Sequence, residues 1–146
     1  MWVIRKMKIL GVEKFNLLDY YMKEIGVHLE LALPVWHIGL TFKLCADIER
    51  VQRVVVSIIL SNVPYEQACA TLGLKPLTVR RQELCERFAI NTATTTKSRH
   101  HDLFQIEKNG AYNTRSDNTK YREHTCHKTR FYKSALPYLT RTLNQL

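Results

Sequence analysis

Glycine is scarce in this chain, with five among 146 residues, and no cluster of them forms a loop able to cradle a phosphate. Aspartate is scarcer still. Asp19, Asp47, Asp102 and Asp117 are the full set, and no two are adjacent. Polymerase and nuclease chemistry needs two or three carboxylates held together around divalent metal ions, and no such set is offered here. The four cysteines, Cys45, Cys69, Cys85 and Cys126, form no C-x-x-C pair. They read as free thiols in a reducing compartment rather than a disulfide framework. No hydroxyl or thiol lies at a signature spacing from a base. Long apolar runs are also missing. Arg5, Lys6 and Lys8 break the N-terminal apolar stretch, so no secretory signal is visible. No run approaches the roughly 20 residues of a membrane span. These absences predict an intracellular chain, nuclear or cytoplasmic, with no catalytic residue, no cofactor and no membrane partner.

What the chain has is positive charge, 22 Lys and Arg against 13 Asp and Glu. Residues 1–90 hold 12 basic and 9 acidic side chains, and residues 91–146 hold 10 and 4, so the net +9 divides as +3 and +6. An excess of this kind attracts polyanions. The last third also holds four of the six histidines. The spacing of His124, Cys126 and His127 is cramped for a zinc arm, and His100 and His101 are adjacent rather than separated. They read as solvated basic residues with no metal.

Helical periodicity is strongest early in the chain. Phe15, Leu18, Met22, Ile25, Leu29 and Ala32 are spaced 3, 4, 3, 4, 3, one stripe of a helix over residues 13–33 that Pro34 should end. Gly26 sits inside it. Leu44, Ile48, Val51, Val55 and Ile58 make a second stripe, spaced 4, 3, 4, 3, which favours helix over strand for the β-branched run at 54–60. A short helix from Tyr65 to Leu72 should close at Gly73, and Pro76 suits the opening of the next, which should run to about Ala89. Arg81 falls on the apolar stripe of that helix, where it must snorkel or pair with Glu66 or Glu83. Residues 91–96, Asn and Thr-rich, have no apolar period. Residues 97–133 are polar and basic with single aromatics, Phe104, Tyr112, Tyr121, Phe131 and Tyr132. The tail closes as a short helix after Pro137. The fold expected is mainly α, a bundle of about four helices over residues 1–90, then a basic, irregular, loop-rich region over residues 91–146 with a short terminal helix.

Two features point to nucleic acid. Cations interleave with aromatics in the tail, at Tyr121 and Arg122 and over Arg130, Phe131, Tyr132 and Lys133, as phosphate contacts beside rings that stack on bases. The helix–glycine–helix pattern from Tyr65 to Cys85 reads as a helix-turn-helix with Thr78, Arg80 and Gln82 toward the major groove.

An ordered series of short matches carries a resemblance. Tyr21 to Ile25, Leu29-Glu30, and Pro34, Val35, Trp36, His37, Gly39 and Leu40 come first, then Asp47 to Arg53 with Ile58 to Leu60. Tyr65-Glu66, Leu72 to Leu74, Leu77, Arg80-Arg81, Leu84 and Phe88-Ala89 follow. The chain closes on Tyr132, Ser134, Leu136 to Leu139, Arg141, Leu143 and Asn144. In this order they resemble the region after the palm, thumb and beyond, of non-LTR retrotransposon reverse transcriptases of the jockey-like kind. Gly26 departs from the family's usual basic residue and Leu31 from its frequent aromatic. The resemblance implies a C-terminal fragment of an RNA-directed DNA polymerase whose palm and endonuclease would precede Met1. It would therefore be non-catalytic and would bind RNA and DNA backbones without reading sequence. Arg50, Arg53, Arg80 and Arg87 are then the helical candidates for backbone contact, and Arg115, Lys120, Arg122, Arg130 and Lys133 the tail candidates.

Overall fold

The second apolar stripe becomes one of the two longest helices. In the computed structural model, which describes residues 1–104 and 120–146, helix α5 spans Phe42–Ile59. Thr41 caps it, its hydroxyl accepting the Leu44 N–H at 3.3 Å. The elements before it are α1 (Trp2–Ile9), α2 (Lys14–Tyr20), a π-helical turn (Tyr21–Gly26), α3 (Val27–Glu30), α4 (Leu33–Trp36) and a 3₁₀ turn (His37–Gly39). After it come α6 (Tyr65–Leu72), α7 (Leu77–Thr94), a 3₁₀ turn (His101–Leu103), α8 (Thr129–Tyr132) and α9 (Ala135–Gln145). The fold is mainly α, with no strand among the described residues. None of the described helices is long and apolar enough to cross a membrane.

The chain divides into two compact units, residues 1–33 with 40–81, and residues 34–39 with 82–146. In the first, Ile4, Leu17, Tyr21, Val55 and Ile59 form one buried cluster, and Val56, Ala68 and Cys69 form another. Lys8 reaches the end of α5, its ammonium donating to the Ile58 carbonyl and to Ser61 Oγ at 2.7 Å. Helices α1 and α6 both stop the same way. Gly11 (φ +80°) and Gly73 (φ +66°) take the left-handed conformation. The next N–H then bonds back five residues, Val12 to Met7 O at 3.1 Å and Leu74 to Cys69 O at 2.9 Å.

Periodicity located the helices but misplaced their buried faces. Phe15 and Met22 of the first stripe are exposed, while Leu17, Tyr21 and Gly26 are buried. The five-residue step from Tyr21 to Gly26 matches the wider π-helical turn, which a strict 3.6-residue period does not anticipate. The helix stops before Pro34, because Ala32 adopts φ +51°, and Pro34 instead sits in the first turn of α4. In α5 the buried residues are Gln52, Val55, Val56 and Ile59, and Leu44 is exposed.

In the second unit α9 buries Pro137, Leu139 and Thr140, and Tyr138 meets His37 edge-on at 6.2 Å between ring centres. Helix α7 continues to Thr94, past the expected end near Ala89. Ala89, Thr92 and Ala93 are buried, and the Thr92 and Thr94 hydroxyls bond back to Phe88 O and Ile90 O at 2.8 Å each. Packing of those residues overrides the low helix propensity of the run.

Candidate nucleic-acid interface

The first unit is organised around one carboxylate. Glu49 on α5 accepts the Leu77 N–H at 3.2 Å and the Thr78 N–H at 3.2 Å, so α5 supplies the N-terminal cap of α7. The same carboxylate takes the Tyr65 hydroxyl at 2.5 Å. Tyr65 in turn accepts from Gln52 Nε2 at 3.0 Å. Gln52, 2% exposed, also donates to Lys75 O at 2.9 Å and accepts from the Tyr21 hydroxyl at 3.0 Å. Burial raises the Tyr21 phenol well above its ordinary value, reinforced by Glu49 and Glu30 nearby. Burial and the bond to Glu49 do the same to Tyr65. This network locks the π-helical turn, α5, α6 and the start of α7 together.

That architecture commits the residues a recognition helix would use. Arg80 Nε pairs with Glu30 Oε1 at 2.9 Å, and its Nη2 with Oε2 at 3.3 Å. Thr78 Oγ1 lies 3.4 Å from Glu49, and Gln82 donates to Glu86 at 2.9 Å. The positive end of α7, where a DNA phosphate would dock, is occupied by the Glu49 carboxylate. These engagements disfavour a helix-turn-helix reading.

Arg81 has neither snorkelled to solvent nor paired with a carboxylate. It is 1% exposed, its Nε donates to Leu77 O at 3.2 Å, and both terminal nitrogens lack a hydrogen-bond partner among the described residues.

The remaining predicted cations divide between the two units. Arg50 and Arg53 lie one turn apart on α5, both exposed. Arg53 covers the Tyr65 ring at 5.1 Å and Arg50 has no side-chain bond among the described residues. In the second unit Arg87, Arg122, Arg130 and Lys133 are exposed, with no ion pair or side-chain hydrogen bond among the described residues. Lys120, also exposed, stands over the Tyr121 ring at 5.5 Å. Arg115 and Tyr112 lie outside the described residues.

The interleaved aromatics separate into two kinds. Phe104 and Tyr121 are 5% and 7% exposed and belong to the interior, so neither is free to stack on a base. Tyr121 is clamped at two points by Asn144 of α9, which accepts its N–H at 3.0 Å and donates to its carbonyl at 2.9 Å. That clamp fixes the backbone between Lys120 and Arg122. Phe131 and Tyr132 are about half exposed, and Arg141 covers one face of Tyr132 at 3.8 Å while donating to its carbonyl at 3.0 Å. Sequence reasoning missed Arg141, although its spacing of nine from Tyr132 in a terminal helix was available.

No group of three His, Cys, Asp or Glu converges among the described residues, His124, Cys126 and His127 included. The second unit also holds a cleft of about 350 Å³, lined by Asp102, Leu103, Arg122, Glu123, His124, Thr125 and Leu136, that no spacing in the sequence announced. The chain matches no family model, no curated protein and no solved structure.

Proposed function

We propose that the chain is a non-catalytic nucleic-acid-binding domain, the C-terminal fragment of a retrotransposon RNA-directed DNA polymerase, that holds RNA and DNA backbones without reading their sequence. One observation carries the reading. Arg87, Arg130 and Lys133 are exposed in the second unit with no carboxylate partner among the described residues, whereas Arg80 is spent on an internal ion pair. Unpaired surface cations on a chain of net charge +9 are the groups that displace counterions from a phosphate backbone. The ordered series of retroelement-like motifs gives this basic surface its context.

The test is a variant series. Arg87→Gln, Arg130→Gln and Lys133→Gln, singly and together, are titrated with labelled RNA, RNA–DNA hybrid and DNA duplex across salt. Each contacting cation removed should lower the slope of log affinity against log salt by about 0.7–0.9, alike on every nucleic acid. Arg80→Gln should leave that slope unmoved, because Arg80 is committed to Glu30. Unchanged slopes for all three variants would defeat the assignment.

A further inference from the structure

The charges lining the 350 Å³ cleft of the second unit are uncommitted, in contrast to the closed network around Glu49. Asp102, Arg122 and Glu123 make no ion pair or side-chain hydrogen bond among the described residues. His124 packs edge-on against Phe131 at 6.3 Å, and its Nε2 is buried without a partner. Leu103 and Leu136 supply apolar surface in the same cleft. The volume falls within the range of small-ligand pockets, roughly 300–1,000 Å³, and is large enough for a single nucleobase.

The donors and acceptors select among bases. A carboxylate accepts hydrogen bonds and offers none, so it favours a base edge carrying adjacent donors. A guanidinium only donates, and favours an edge with adjacent acceptors. Guanine alone presents both, N1–H and N2–H₂ on its Watson–Crick edge and O6 with N7 on its Hoogsteen edge. Adenine and cytosine offer an amino donor beside a ring acceptor that a carboxylate repels, and uracil offers one donor between two carbonyls.

We infer that this cleft receives an unstacked guanine base of a single strand, with Asp102 or Glu123 accepting from its Watson–Crick edge, Arg122 donating to its Hoogsteen edge, and Leu103 and Leu136 against its face. The inference rests on the nucleic-acid reading above and adds base preference to it. A free guanine nucleotide has the same edges, so the test separates the two sources.

The full chain is titrated by fluorescence anisotropy with a short labelled oligouridine and with the same strand carrying one central guanosine or one inosine. Guanosine should raise affinity by about fivefold or more, the discrimination a good bidentate base contact supplies. Inosine, which lacks the N2 amino group, should lose most of that gain. Asp102→Asn and Glu123→Gln, each checked for helix content by circular dichroism, are read as the guanosine-to-uridine affinity ratio. At least one should bring the ratio near unity, and a ratio unchanged in both would overturn the assignment. Guanosine monophosphate should compete only at concentrations well above those of the strand. Competition at equal concentration would assign the cleft to free nucleotide instead and overturn the strand-bound form. Equal, salt-sensitive affinity for all strands would refute the cleft and leave the backbone reading standing. Absence of binding to any strand at low salt would remove both.

Discussion

Arg81 is the residue whose chemistry fits its surroundings least. A buried guanidinium loses its hydration, and only well-placed partners restore that loss. Among the described residues Nε has one partner, the Leu77 carbonyl, and the terminal nitrogens have none. Replacing a buried ion pair by apolar side chains of similar volume is often neutral or stabilising, and a buried charge without a partner is costlier than a pair. Arg81→Met should therefore raise the unfolding free energy by about 1–4 kcal/mol, seen as a higher urea midpoint at unchanged slope. A lower midpoint would mean that Arg81 stabilises the unit. Tyr21 and Tyr65 make a second residue-scale case. Both phenols are held above their ordinary value of 10.0, first by burial and then by Glu49. A folded-state value raised above the unfolded one contributes stability that is complete below pH 10.0 and is lost as pH rises through the folded-state value. The urea midpoint should hold up to pH 10.0 and fall as pH rises above it, and Tyr21→Phe should reduce the drop. An identical pH profile in the variant would remove Tyr21 from that account.

At the scale of elements, two glycines that look alike in sequence should respond in opposite directions. Gly26 has ordinary helical backbone, and a Cβ there would meet Tyr21 O at 3.5 Å, an ordinary contact. Gly26→Ala should stabilise by about 0.4–1 kcal/mol, by restricting the unfolded chain. Gly73 has φ +66° with nothing within 4 Å of an added Cβ, so its cost is backbone strain alone. Gly73→Ala should destabilise by about 1–2 kcal/mol. Thermal melts of the pair check both signs, and equal shifts would contradict the conformational argument. The same contrast shows what was legible beforehand. The stop at Gly73 and the opening near Leu77 after Pro76 are local rules, and they were readable. The buried faces were not, because the π-helical turn at Tyr21–Gly26 changes the step, and because Gln52 and Arg81 are polar residues in apolar positions. Nor was the role of Glu49. It caps a helix that begins 28 residues later, and nothing in its own neighbourhood signals that. Of the candidate cations, exposure followed from charge, but the commitment of Arg80 to Glu30, 50 residues away, did not.

Across the whole molecule, the apolar surface and the charged surface have different stories. The β-branched run at 54–60 has Val55, Val56 and Ile59 buried. Exposed apolar side chains lie elsewhere, with Ile9 at 76%, Phe15 at 78% and Phe42 at 92%. The positive charge is distributed over both units, on α5 through Arg50 and Arg53, and in the second unit through Arg87, Lys120, Arg122, Arg130 and Lys133. Such a surface predicts affinity governed by counterion release rather than by base sequence, with any base preference a small increment on top of it. The most direct measurement is therefore fluorescence anisotropy of the unmodified chain with RNA, RNA–DNA hybrid and unrelated DNA duplexes over a range of salt. The account predicts binding to all of them, with log affinity falling linearly against log salt at a slope set by several phosphate contacts. Absence of binding at low salt, or binding indifferent to salt, would contradict it and leave the charge without a nucleic-acid role.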